Sequence, residues 1–257
     1  MQGKNVFIPI FPNIIMKKAI LMDLDNTLVD FMKYKIESCR SAVDSMIKHG
    51  LKIDKKEAIK KLFNMYGRHG IEEGRILQKF LMEVNGKIDY KILSNGISAY
   101  RKMRFGNLKP YKDVEKTLKK LRKMGYKLAI LSDAPRLKCW IRLASIGLTD
   151  YFDTVIAYED TRKKKPHTLP FKKALRKLKC GPSEVVMVGD NIARDIFGAK
   201  KMGIATVFAA YGNPEDAELA YKGIVPDYYK KVNPRLGNLS DYTINSFKEL
   251  PKLLRKL

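Results

Sequence analysis

A doubly wound, parallel α/β sheet carrying an inserted helical unit is the fold class that the sequence predicts. Three observations predict it. Short apolar runs at Ala19 to Met22, Lys127 to Leu131 and Val185 to Val188 have the length and apolarity of strands buried on both faces. From residue 109 onward such runs alternate with helical patterns, the signature of strands joined by crossover helices. Between the first run and that alternation, residues 32–108 show helical periodicity and no strand signal.

Residues 1–15 contain an apolar stretch from Val6 to Ile15, broken by Pro9 and Pro12 and too short to span a membrane. It lacks the basic start and small-residue cleavage site of a secretory signal. The stretch reads as an arm or extra strand, or as residues upstream of a natural start at Met16-Lys17-Lys18. The first strand then ends abruptly in Asp23 and Asp25. Two residues apart on an extended chain, these carboxylates point out of the carboxyl edge of the sheet, where open α/β sheets place their ligands. Like charges held together suggest a shared divalent cation or a division between ionised and protonated forms. Asp-Asn-Thr also begins turns and caps helices, so a plain surface turn is the competing reading.

From about Lys33 to Met103 the apolar positions recur at three and four residues, as in Ile36, Cys39, Val43, Met46 and Ile47, punctuated by Gly50, Gly67, Gly70, Gly86 and Gly96. A helix over Lys112 to Met124 ends at Gly125, and the strand after it ends in Ser132-Asp133. A helix over Leu137 to Ile146, a strand at Thr154 to Ala157, the run Lys163-Lys164-Lys165-Pro166 and a further helix follow. The Val185 strand ends in Gly189-Asp190-Asn191, and one helix carrying Asp195 is expected to run to Gly203. Ile204 to Phe208 and Asp241 to Ile244 complete the strands, with a closing helix over Phe247 to Leu254. The expected division is an extension at 1–15, an α/β core at 16–31 and 109–257, and a helical unit at 32–108.

The 257 residues are 45% hydrophobic and 10% aromatic, as in folded soluble proteins. The 51 basic against 27 acidic side chains give a formal charge of +24. The excess is spread along the chain as lysine without an arginine-aromatic stripe. It reads as a solvated surface or a thermophile-like bias rather than a nucleic-acid interface, and it would also attract phosphorylated anions. Cys39, Cys139 and Cys180 match no zinc spacing and read as reduced, semi-buried thiols of a cytoplasmic protein with no membrane partner.

Three strand ends thus bring Asp23 and Asp25, Ser132 with Asp133, and Gly189-Asp190 to one sheet edge, with Asp195 beyond and Lys165 in a connection leading there. In their order DLDNT, Ser132, Lys165-Pro166 and Gly189-Asp190…Asp195, these motifs resemble those of the haloacid dehalogenase-like hydrolase superfamily, from about Lys17 to the end of the chain. The resemblance implies a Rossmann-like core with residues 32–108 as a helical cap. It implies an Mg²⁺-dependent phosphatase of small phosphorylated metabolites, of phosphosugar, triose phosphate or phosphoglycolate type. Asp23 would be the nucleophile that becomes an aspartyl-phosphate, and Asp25 the general acid and base. Lys165 would balance charge on Asp23 and phosphate, and Ser132 with the neighbouring amides at Asp133 would hold phosphoryl oxygens. The metal would rest on the Asp23 carboxylate, the Asp25 carbonyl and Asp190. Asp195 would support the metal's water shell or orient Lys165, and Thr27 and Asn191 would support the site.

An acid at Asp25 disfavours dehalogenation, which in this family has an aromatic residue there. A phosphomutase sharing every core motif or a haloacid dehalogenase of the same superfamily, and a catalytically silent binding protein on the same core, remain alternatives. Arg68, Arg75, Arg101 and Arg104 are candidate substrate-anion contacts from the cap, although helix surfaces carry arginines routinely. His49 and His69 have no partners at metal-ligand spacing, His167 reads as a helix-start surface residue, Lys163 and Lys164 as solvated, and Trp140 as packed on the sheet.

Overall fold

The computed structural model describes residues 16–212 and 239–257, without the side chains of residues 104–107. The expected extension at 1–15 and the side chain of Arg104 lie outside the described residues. Six parallel strands form one sheet in the order β3-β2-β1-β4-β5-β6. They are β1 (Ala19–Met22), β2 (Lys127–Leu131), β3 (Thr154–Ile156), β4 (Val185–Gly189), β5 (Ala205–Ala209) and β6 (Tyr242–Ile244). Strand β1 is central, with Met22 opposite Ile130 on one side and Val188 on the other. All four of its residues are buried, as an apolar run flanked by strands and covered on both faces must be. The chain builds outward from β1 to β2 and β3, then crosses back to β4, so the strand order reverses at β1. A crevice outside the carboxyl ends of β1, β2 and β4 is the ligand position that such a reversal creates.

The two faces of the sheet follow the strand period of two. Ile20 and Met22 pack toward α5 (Val114–Lys123), α6 (Arg136–Ser145) and α9 (Leu250–Leu254), while Ala19 and Leu21 pack toward α7 (Thr168–Leu178) and α8 (Phe197–Lys200). Between β1 and β2 lie α1 (Phe31–Lys48), α2 (Lys55–His69), α3 (Ile76–Asn85) and α4 (Tyr90–Asn107). These four helices share a separate apolar core that includes Val43, Met46, Phe63 and Phe80, whereas α5 joins the core under the sheet. Asp30, Asp54 and Asp89 cap α1, α2 and α4 by accepting first-turn N–H groups, each such cap contributing about 1 kcal/mol.

Two local departures from expectation have physical causes. The single helix expected after β4 is a wide turn over Ile192–Ile196 followed by the short α8. The Ile196 N–H points to the Asn191 carbonyl at 3.4 Å, a five-residue span, and the Asn191 side chain accepts from the Arg194 N–H. Such widened turns mark functional positions, and here the turn brings Asp195 back against Gly189. Trp140 does not pack on the sheet: it is 38% exposed on α6, whose inward face is taken by Cys139, Arg142 and Leu143. Cys39 and Cys139 are fully buried rather than semi-buried, and all three cysteines are free.

Candidate active site

The turn after β1 is built by its own residues. Asn26 sits at φ 57°, a left-handed conformation that asparagine tolerates, and its Oδ1 accepts the Met32 N–H at 3.1 Å. Gly212, after β5, passes directly over this turn: a Cβ there would lie 1.8 Å from the Asn26 carbonyl oxygen. Only glycine fits. The neighbouring Tyr211 hydroxyl donates to the Thr27 carbonyl at 2.8 Å, fastening the β1 turn to the β5 end.

Asp23 extends the ladder, its N–H donating to the Val188 carbonyl at 2.9 Å, and its side chain meets Lys165 from the connection between β3 and α7. Lys165 Nζ donates to Asp23 Oδ1 at 2.7 Å and to the Leu131 carbonyl at 2.8 Å, and forms an ion pair with Asp195 Oδ1 at 2.7 Å. Burial alone would lower the ammonium pKa, but Asp195, Asp23 and Asp133 around it raise it above the ordinary lysine value. It is therefore a fixed positive charge. The Lys165 N–H also donates to Asp133 Oδ1 at 2.8 Å, and Arg194 Nη1 lies 3.3 Å from Asp133 Oδ2. Asp133 thus spends its carboxylate on holding Lys165 and Arg194, and only its backbone remains to meet an anion.

Asp23, Asp190 and Asp195 each offer a carboxylate oxygen, all within 4.8 Å of one another and all buried. Burial pushes the Asp190 carboxyl well above its usual range, with Asp23 and Asp195 adding to the effect, and pushes Asp195 up to about 6 against the pull of Lys165. With all three carboxylates ionised, as a bound cation would require, the one ammonium would leave two negative charges in a dry site. An all-oxygen donor set with that excess suits a hard divalent cation, so the residues present fit a metal of this class. Thr27 fixes Asp190 from both sides, its Oγ1 donating to Asp190 Oδ1 at 3.1 Å and accepting the Asp190 N–H at 3.1 Å. Gly189 gives Asp195 room, since a Cβ there would fall 2.4 Å from Asp195 Oδ2. Asn191 supports the same turn through its N–H to Asp195 Oδ2 at 3.0 Å.

Asp25 turns away from the triad. Its Oδ1 lies 3.2 Å from Arg142 Nε on α6, and burial pushes its pKa up to about 7 despite that guanidinium. Arg142 Nη2 lies 2.5 Å from Glu72 Oε1, in the loop between α2 and α3, and Lys138 Nζ lies 2.8 Å from Glu72 Oε2. Burial would raise Glu72, but Arg142 and Lys138 hold it down at about 2.

A cavity of about 380 Å³ opens over these groups, with Asp23, Asp25, Ser132, Asp133 and Lys165 from the core side. His69 to Gly74 close it from the helical insertion, and Lys164 and Arg194 also line it. Ser132 Oγ accepts the Ala134 N–H at 3.1 Å. Asp190, Asp195 and Asn191 stand behind this lining rather than in it. Of the insertion arginines, Arg68 pairs with Glu83 on the surface, and neither it nor Arg75 or Arg101 lines the cavity. Lys163 and His167 are exposed, whereas Lys164 and His69 border the cavity. Arg142, Arg194 and Glu72 were not foreseen. Arg142 had a signal, because it occupies an inward position of α6 beside Cys139 and Leu143. Nothing local distinguishes Glu72.

The sequence profile of the haloacid dehalogenase-like hydrolases matches residues 20–209. The glyceraldehyde 3-phosphate phosphatase of Methanocaldococcus jannaschii is 36% identical over 242 residues, covering 94% of this chain and 99% of that protein. The enzyme of the same name from Pyrococcus furiosus is 32% identical over 240 residues, covering 93% and 92%. Among solved structures, the HAD phosphatase from Thermococcus onnurineus superposes with a TM-score of 0.64 at 28% identity, covering 92% of this chain and 97% of that one. With its parallel sheet, its helical insertion after β1 and its buried aspartate triad, the chain belongs to the haloacid dehalogenase-like hydrolase family.

Proposed function

We propose that the protein is an Mg²⁺-dependent phosphatase of small phosphorylated metabolites, with glyceraldehyde 3-phosphate as the first substrate to test, acting in the cytoplasm. The observation that carries this reading is the placement of Asp23 on the cavity wall, 2.7 Å from the fixed charge of Lys165. The free cysteines agree with a reducing compartment, and no helix among the described residues is long and apolar enough to cross a membrane.

In this reading an Asp23 carboxylate oxygen attacks phosphorus, the bond to the leaving oxygen breaks, and that oxygen takes a proton from Asp25. The aspartyl-phosphate is then hydrolysed by a water whose proton returns to Asp25. A carboxyl held at about 7 by burial carries a proton near neutral pH and can take it back. A phosphate dianion about 4 Å from Asp23 would be repelled by about 4 kcal/mol per charge pair at an effective dielectric near 20, so positive charge must offset it. Lys165 supplies one part, and Ser132 with the backbone at Asp133 would hold phosphoryl oxygens. The metal would rest on Asp23, Asp190 and the Asp25 carbonyl, with Asp195 behind, and when bound it screens the remaining charge. Thr27 and Asn191 hold Asp190 and Asp195 in place. Residues 32–108 would act as the cap, with the 69–74 loop excluding bulk water from the covalent intermediate.

The name carried by the archaeal relatives supports glyceraldehyde 3-phosphate, and a cavity of about 380 Å³ suits a ligand of that size. The test is phosphate release from glyceraldehyde 3-phosphate, phosphoglycolate and p-nitrophenyl phosphate, with Mg²⁺ and with chelator, for wild type and Asp23→Asn. Metal-dependent release that vanishes in the variant supports the reading. Full activity in Asp23→Asn would overturn it.

A further inference from the structure

Arg142 does not line the cavity, yet it is the only buried arginine among the described residues and stands between two carboxylates from different parts of the chain. Its guanidinium carbon lies 4.2 Å from the centre of the Phe31 ring, which covers one face. Nε meets Asp25 and Nη2 meets Glu72, at 3.2 and 2.5 Å. These two nitrogens form the side edge of the guanidinium, the parallel donor pair that ordinarily grips one carboxylate at both oxygens. Here the fork is split. Asp25 has no other ion-pair partner among the described residues, and its Oδ1 has no hydrogen bond of good geometry. Glu72 comes from the helical insertion, so one half of the fork is filled by a group that the core does not itself supply.

We propose that Arg142 is a positioning residue for Asp25 and that Glu72 sets how it acts. By drawing Nη2 toward the insertion, Glu72 keeps the guanidinium from closing on Asp25 with both donors. Asp25 is then oriented by one contact and retains an oxygen for proton exchange with the cavity. Without Glu72 the full fork closes on Asp25, holding both oxygens against the arginine. The insertion thereby contributes to proton transfer through a residue that never touches the reacting atoms. This inference rests on the reading of Asp25 as the acid–base group.

The first test needs no turnover: the crystal structure of Glu72→Leu, whose side chain offers Nη2 no acceptor. Both Nε and Nη2 on Asp25 supports the proposal, and a contact left at Nε alone overturns it. The second test measures kcat and KM for p-nitrophenyl phosphate and glyceraldehyde 3-phosphate with Mg²⁺, below the melting temperature of every variant used. Glu72→Leu is expected to lower kcat about tenfold with KM within about twofold, the size of effect that a displaced catalytic group produces. In an Arg142→Lys background, where a point charge has no fork to close, the same substitution is expected to change kcat less than about twofold. An equal fall in both backgrounds, or a change confined to KM, overturns the proposal. If Glu72→Leu melts below the assay temperature, Glu72→Asp makes the same comparisons by withdrawing the carboxylate from Nη2. Wild type that releases no phosphate would count against the phosphatase reading, and the crystal structure would still decide the tie.

Discussion

Lys165 and Asp195 form a 2.7 Å ion pair in which the side chains expose only 2% and 1% of their surface, and the same ammonium meets Asp23 at 2.7 Å. Removing one member of a buried ionic group strands the others without solvent. Lys165→Met leaves two buried carboxylates facing each other, so it is expected to abolish phosphatase activity and to cost about 3–5 kcal/mol of stability. Asp195→Asn keeps the shape but frees Lys165 on one side, and a fall of about 10–100-fold in kcat is expected, as for other supporting partners of a reacting group. Guanidinium denaturation and steady-state kinetics check both. Unchanged stability in Lys165→Met would show that Asp23 and Asp195 do not face Lys165 as a charged pair.

The carboxylate triad also predicts how the metal-free protein responds to pH. Burial beside Asp23 and Asp195 raises the folded-state pKa of Asp190 well above the usual carboxylate value. A raised carboxyl favours folding while protonated. Its contribution is therefore full below the unfolded pKa near 3.9 and is lost as pH rises through the folded value. In chelator, wild type is expected to lose stability relative to Asp190→Asn as pH rises toward neutrality. Mg²⁺ at pH 7 is expected to raise the melting temperature of wild type and to leave that of Asp190→Asn nearly unchanged. Equal Mg²⁺ shifts in the two proteins would remove Asp190 from the metal site.

Thr27 exchanges two 3.1 Å hydrogen bonds with Asp190 in a fully buried position. Thr27→Val keeps the volume and deletes both. The orphaned Asp190 N–H and carboxylate are expected to cost about 1–3 kcal/mol and to weaken Mg²⁺ binding, while Thr27→Ser restores most of each. Melting curves at graded Mg²⁺ separate the two effects. If valine behaves like wild type, the hydroxyl is a turn residue without a supporting role.

Much of this was legible because strands buried on both faces must be continuous apolar runs, and the polar residue ending each run then marks the ligand edge. Asp23, Ser132 and Asp190 are visible in the sequence for that reason, whereas Lys165 is told from its neighbours Lys163 and Lys164 only by the resemblance, whose motif pairs a lysine with proline. What was not legible depends on contacts between segments. The role of Asp133 as a brace for the Lys165 N–H and Arg194 requires knowing that the β3–α7 connection passes over the end of β2. Arg142 shares the inward side of α6 with Cys139 and Leu143, but its partners are not legible until α6 is seen to face the insertion. Trp140 was misplaced because helical periodicity fixes which residues share a face but not which face meets the sheet, and two residues later in the same helix the inward position is polar.

Glu72 is the cap-side carboxylate whose charge state should be visible in stability alone. Its side chain is 22% exposed, and Arg142 and Lys138 hold its pKa at about 2 in spite of its burial. A folded-state pKa below the unfolded value of about 4.3 contributes stability that is fully present above that value and is lost as pH falls toward 2. A depression of that size corresponds to roughly 3 kcal/mol at neutral pH. Glutamine cannot titrate, so the stability gap between wild type and Glu72→Gln is expected to be largest above pH 5 and to shrink as pH falls to 3. Because the pair is largely shielded from solvent, raising salt at pH 6 should reduce the gap little. Urea denaturation of both proteins at pH 6 and pH 3 measures it, and acid effects common to the two cancel in the difference. A gap that stays constant from pH 6 to 3 would mean that Glu72 contributes shape rather than charge, and that its tie to Arg142 is an ordinary surface pair.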